Sequence, residues 1–373
     1  MAIDRRELLI GAAAALMTVR TAPSLAAASE PARFASAFAG EASGYGVGLI
    51  GGDLGIARTI AMPARCHDIA VRPGSREAVV FARRPGRFAV RFDLDGRAGP
   101  LELGAEENRH FFGHGVYTAD GRLMLSSEND IAGGAGVIGI RDATGGYRPI
   151  GSMPTGGTGP HDIALLSDGR TLIVANGGIE TDPNGRTDIA VSQMRSSLTA
   201  IDLASGALID RQELKPDWRL LSIRHLAVAA EDSVVFGCQW HGAMTEHPPL
   251  VGITRVGAAP RMLDCPAMVT RRMRGYVGSV AVDSSGTLAS ASSPKGGLVA
   301  HWDIASGRFL GTSELADVCG LTGTGRAREI LLTSGAGVTR RTMPDGDAAT
   351  ISPPEAHADL HFDNHIVWLG GAT

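Results

Sequence analysis

Four histidines recur at one point of a repeated segment. Cys66-His67-Asp68-Ile69-Ala70-Val71, Gly113-His114-Gly115-Val116-Tyr117, Pro160-His161-Asp162-Ile163-Ala164-Leu165 and Arg224-His225-Leu226-Ala227-Val228 each set an imidazole at the start of a short β-type run. Two further copies, Gly278-Ser279-Val280-Ala281-Val282 and Cys319-Gly320-Leu321, lack it, while His365 stands in a C-terminal run of similar kind. A lone histidine at a strand start is more often a hydrogen-bonding core residue than a ligand. Several that converge are different, because neutral imidazole is the commonest metal ligand and suits iron, copper or zinc. Glu128 and Asp130, in Ser127-Glu128-Asn129-Asp130, add oxygen donors. The candidate metal set is therefore His67, His114, His161, His225, His365, Glu128 and Asp130, for one transition-metal ion.

Other polar residues gather around this set in the repeat. Arg83, Arg84, Asn129, Asp162, Asn176, Glu180, Arg224, Gln239 and His241 fall at strand openings or at the connections between second and third strands. They are the expected rim, or a surface for a partner. Cys238, His241 and His247 with Glu246 form a smaller donor group, but Pro248-Pro249 marks that stretch as an ordinary loop. No Cys-x-x-Cys-His haem attachment, phosphate loop or His-Glu-x-x-His motif is present.

The elements that must hold these residues are short strands. After each opening comes a turn such as Ala119-Asp120-Gly121-Arg122, Ser167-Asp168-Gly169-Arg170 or Ser284-Ser285-Gly286-Thr287, rich in the residues that tight hairpins need. A second apolar strand follows, then a third ending in Asp, then a short fourth. His67, His114 and His161 are spaced 47 residues apart, and the later intervals are 64 (His161 to His225), 53 (His225 to Gly278) and 41 (Gly278 to Cys319). Four antiparallel strands at this period predict a β-propeller, and residues 41–373 hold seven such blades. Tyr45 to Gly52 and Ala57 to Met62 supply the last two strands of the closing blade, and His361 to Leu369 its first two. Both insertions, Thr181 to Ser197 and Ala258 to Tyr276, fall on the histidine face, the second with a short helix over Pro266 to Arg274. One point of register is open: His161 precedes its turn glycine by eight residues and His114 by seven. Such a slip turns His114 away from the channel unless a bulge absorbs it.

The N-terminus reads as an address. Arg5-Arg6 precedes an apolar run from Leu8 to Val19, too short to span a bilayer, and Ala26-Ala27-Ala28 offers a cleavage site. Residues 1–28 thus resemble a twin-arginine export signal, 29–40 a linker, and the expected address is the periplasm. The 373-residue chain has 39 acidic and 35 basic residues, 50 glycines and a net charge of −4. That balance excludes a basic nucleic-acid-binding surface. Cys66, Cys238, Cys265 and Cys319 permit disulfides in an oxidising compartment or serve as small buried hydrophobes.

Phe81-Ala82-Arg83-Arg84-Pro85-Gly86-Arg87-Phe88, Phe112-Gly113-His114-Gly115-Val116, Ser127-Glu128-Asn129-Asp130, Gly159-Pro160-His161-Asp162, Ala175-Asn176-Gly177-Gly178, Ile223-Arg224-His225-Leu226 and Asp363-Asn364-His365 together resemble an uncharacterised family of exported bacterial proteins, the domain of unknown function numbered 1513. The chain departs from it where Arg65-Cys66-His67-Asp68 replaces the usual Arg-Gly-His-Gly. The resemblance implies a seven-bladed propeller, encoded near imelysin-type and haem-containing periplasmic proteins, with a role in iron or other metal acquisition. It brings no established reaction.

Three functions are open at this point. The first is a monomeric, non-catalytic propeller whose histidine-rich mouth binds metal or a partner. The second is a metal-dependent hydrolase or lactonase-like enzyme, with His114 or His161 as general base. The third is a protein-interaction scaffold. Fold alone does not choose among them.

Overall fold

A computed structural model describes residues 32–370 except 85, 182–187, 190, 345–349 and 352–358. The export signal and part of the Thr181–Ser197 insertion lie outside the described residues. Seven four-stranded antiparallel sheets make up the ring. The first blade runs outward through Cys66–Val71, Glu77–Ala82, Phe88–Asp93 and Leu101–Gly104, and the next five repeat that order. The one described α-helix, α1 (Ala267–Arg272), lies in the second insertion, as its sequence predicts.

The seventh blade corrects the expected boundary. Its inner strand is His361–Trp368, but its second strand is Phe34–Gly40, followed by Gly44–Ile50 and Ile56–Met62. The C-terminus therefore supplies one strand, not two, and the stretch read as linker belongs largely to the ring. Phe34-Ala35-Ser36-Ala37-Phe38 sets small residues between aromatic ends. Those small side chains are buried, and the segment pairs on both sides, Phe34 opposite Ile50 and Trp368. The two ends of the chain thus close the ring and leave no open edge there.

Packing between blades is apolar. Phe81 of the first blade meets Phe111 of the second at 5.9 Å between ring centres, and Phe92, Phe236 and Trp302 are equally sealed. Each such burial contributes about 1.5–3 kcal/mol. On the far face, Asp168 accepts from the amides of Arg170 and Thr171, so its short carboxylate fixes the turn that the sequence predicts.

The inner strands are irregular where the histidines sit. Between the pairs Phe111–Glu128 and Gly115–Ser126 the inner strand advances four residues and its partner two. Similar shifts fall between Cys66 and Ile69, Pro160 and Asp162, Ile223 and His225, and Phe362 and Ile366. Each is a β-bulge, which re-aims side chains. These bulges absorb the slip in register, and His114 faces its fellow histidines. Gly113 makes this possible: its φ is +103°, and a Cβ there would lie 2.7 Å from Cδ2 of His67.

Candidate metal centre and channel mouth

Five imidazoles from five blades pack together at the top of the channel. His114 is central, with ring centres 4.9 Å from His67, 4.8 Å from His161, 4.6 Å from His365 and 6.1 Å from His225. His161 lies 4.9 Å from His225, which lies 5.1 Å from His365. The ligand nitrogens form two triads, His67–His114–His161 and His114–His225–His365, each within 4.8 Å. All five predicted histidines come together.

Carboxylates orient these rings from behind. His114 Nδ1 donates to Asp68 at 3.1 Å and lies 3.4 Å from Asp162, which leaves the lone pair on Nε2. His67 Nδ1 donates to Asp363 at 2.6 Å. A carboxylate on one nitrogen that fixes the tautomer and aims the other is the support a metal-ligating histidine ordinarily has. Asp363 is itself held by Arg83 at 2.5 Å and Arg65 at 2.8 Å. Burial acts to raise its carboxyl, but His67, Arg83 and Arg65 outweigh it and hold it well below the usual carboxylate range.

The imidazoles are neutral for a different reason. Burial lowers His67, His114, His161 and His225 below their ordinary value, with neighbouring histidines adding to the shift for His67, His161 and His225, and it brings His365 to about 4. Neutral rings keep a lone pair. His114 Nε2, His161 Nδ1, both nitrogens of His225 and His365 Nε2 are buried without a hydrogen-bond partner among the described residues. One such group costs about 1–3 kcal/mol, so five at one point call for a ligand. The donor set is imidazole nitrogen backed by carboxylate, and it fits a first-row transition ion such as zinc, copper or iron.

Two predicted ligands do not join it. Glu128 is buried, but its Oε1 accepts from Ser126 at 2.6 Å, and its other oxygen lies 3.6 Å from Arg109. Its carboxylate folds over Gly139, where even a methyl group would collide. Asp130 caps its own turn, accepting from Ala132 and Gly133. The shared loop in sequence put both with the histidines; strand direction separates them. The cysteines are free thiols, with Cys66 pushed up to about 12 by burial; the buried-hydrophobe reading fits Cys66, Cys238 and Cys319, while Cys265 is half-buried. Cys238 is sealed in the fourth blade, and His247 is exposed.

Above the imidazoles is a pocket of about 160 Å³ lined by His67, His161, His225, Arg83, Arg84 and Arg224. Gln239, Phe112, Tyr276 and Asn364 complete it. Arg84 lies over the Phe112 ring at 5.7 Å. The second insertion thus reaches the mouth through Tyr276, on the side where the inner strands of the fifth and sixth blades carry no histidine. Of the other predicted rim residues, Asn176 bonds Thr199, Asn129 is buried in the second blade, and Glu180 is exposed just before the first insertion. His241 is half-buried, with its amide on the Leu220 carbonyl. Asp162 orients His114 instead of lining the rim.

Asp68, Asp363, Arg65, Phe112, Tyr276 and Asn364 were not among the expected site residues. A signal existed for the acids, because Asp68 and Asp162 directly follow histidines. In a regular strand neighbours point to opposite faces, and only the bulges bring both inward.

A family described as "Protein of unknown function (DUF1513)" matches residues 60–369. No protein with a curated description matches the sequence. Among solved structures, hydrazine synthase of Kuenenia stuttgartiensis is similar at 13% identity and a TM-score of 0.58, covering 82% of this chain and 89% of that one. The Cps50 (Swd1) β-propeller domain of Myceliophteria thermophila is similar at 10% identity and 0.58, covering 82% and 94%. At these identities the likeness concerns the fold alone.

Proposed function

The chain belongs to the family described as "Protein of unknown function (DUF1513)", and from its site we propose that it is a periplasmic, non-catalytic propeller that holds a transition-metal ion in metal acquisition. The observation that carries this reading is the set of five buried, unpartnered imidazole nitrogens on four adjoining rings. The carboxylates behind His67 and His114 support it. Export rests on the twin-arginine-type leader, and the link to iron or another metal on the family's resemblance alone. Among the described residues the pocket lining has no serine, cysteine or carboxylate, which favours holding a ligand over hydrolysing one. No described helix is long and apolar enough to cross a membrane.

Titration of the metal-stripped protein with zinc, copper and ferrous iron tests the reading. One equivalent of at least one ion is expected to bind, and free ion at a hundred times Kd raises stability by about 2.7 kcal/mol. No stoichiometric binding of any of the three rejects it. Elemental analysis of protein isolated from periplasm then identifies the resident ion.

A further inference from the structure

We infer that the pocket above the histidines is an anion site that takes a small organic acid through two or more carboxylates. Arg83 and Arg84 of the first blade and Arg224 of the fourth converge on it, and among the described residues its lining contains no Asp or Glu. Gln239 of the fourth blade and Asn364 of the seventh add neutral amides to the lining. Arg224 is braced by its Nε bond to Ser222 at 2.8 Å, and Arg83 by its bond to Asp363. A further cation, Lys295, sits 4.6 Å from the Tyr276 ring behind the lining.

Guanidinium is the group whose planar fork matches a carboxylate, and two or three forks at one pocket select for more than one. Size narrows the class. A volume of about 160 Å³ corresponds to roughly five water molecules, below the roughly 300 Å³ at which larger cofactor and nucleotide pockets begin. The floor supplies a second criterion: His67, His161 and His225 belong both to the imidazole cluster and to the pocket. An acid seated against the arginines therefore has oxygen atoms facing the ligand nitrogens. The binding of the acid itself does not depend on the metal reading. Its contact with an ion below does rest on that reading.

Calorimetry on the folded protein separates the two. Citrate and inorganic phosphate are titrated without metal, and zinc is titrated alone. Citrate is expected to bind the metal-stripped protein more tightly than phosphate, and about tenfold more weakly for each guanidinium lost in R84Q and R224Q. The H114A/H365A variant is expected to lose zinc and keep citrate, so failure of one claim leaves the other readable. No heat with citrate, phosphate bound more tightly than citrate, or unchanged affinity in R84Q and R224Q overturns the proposal. Circular dichroism checks that each variant folds. If R224Q does not fold, R84Q alone decides by the same reading.

Discussion

His67 Nδ1 lies 2.6 Å from the carboxylate of Asp363, joining the inner strand of the first blade to that of the last. This bond spans the seam where the ring closes, and it aims His67 at the cluster. It therefore ties closure of the fold to the geometry of the site. Asp363 is almost fully buried and also carries Arg83 and the half-exposed Arg65, so removing its charge strands three groups, His67 being the most buried. D363A is expected to cost about 3–5 kcal/mol in urea unfolding. Metal affinity should fall about 10–100-fold in the fraction that folds. Wild-type stability in D363A would show that the seam is held by its strands alone.

His114 touches each of the other four rings and belongs to both candidate triads. H114A should abolish zinc binding, whereas H247A, which alters an exposed residue of the smaller Cys238–His241–His247 group, should leave it unchanged. Equilibrium dialysis with elemental analysis reads both. Loss in H247A together with retention in H114A would move the site to the fourth blade's outer loop.

Glu128 separates what adjacency in sequence suggested from what the blade builds. It is sealed against Ser126 and Arg109, away from the imidazoles. E128Q keeps its shape and removes its charge, so zinc affinity should be unaltered in the same dialysis. A clear loss would mean that the carboxylate reaches the ion after all.

The ring was legible in the sequence because each blade repeats a histidine or glycine opening, an Asp-Gly type turn and an apolar second strand. The convergence of His67, His114, His161, His225 and His365 followed from that repeat. Two features were not legible. Phe34–Gly40 lacks the large branched residues that mark a strand, and only pairing on both sides makes it one. The roles of Asp68 and Asp162 depend on bulges, and a bulge changes which face a residue takes without leaving a mark in the hydrophobic pattern.

Acid should weaken the fold through the imidazoles. Unfolded histidine takes up a proton near its ordinary 6.5, while burial holds His365 to about 4 and lowers the other four. The unfolded chain binds more protons in that interval, so this stability is complete above pH 6.5 and is lost as pH falls toward 4. For His365 alone the difference is on the order of 3 kcal/mol. Asp162, raised by burial to about 6, works the other way, favouring the fold below 3.8 and losing that favour as pH rises through 6. Asp68, Glu128 and Asp317 are raised by burial in the same sense, whereas Asp363, held low by His67, Arg83 and Arg65, adds to the five rings, so acidification leaves a net loss. Urea midpoints of the metal-free protein at pH 7, 5.5 and 4.5 should fall in that order, and a flat profile would show that the rings are not neutral and buried as a group.

Gly113 offers the most local test of how the backbone shapes the site. At φ +103° an alanine is strained by about 1–3 kcal/mol, and its methyl group would press on Cδ2 of His67 from 2.7 Å. Two consequences follow from one substitution. G113A should lower the urea midpoint, and it should also displace His67 from Asp363. Because the bulge sets where His114 points, metal binding should weaken more than the loss of folded protein explains. Dialysis on the folded fraction distinguishes the effects. Full zinc affinity in folded G113A would show that the cluster tolerates movement of His67, and would leave His114, His225 and His365 as the triad that holds the ion.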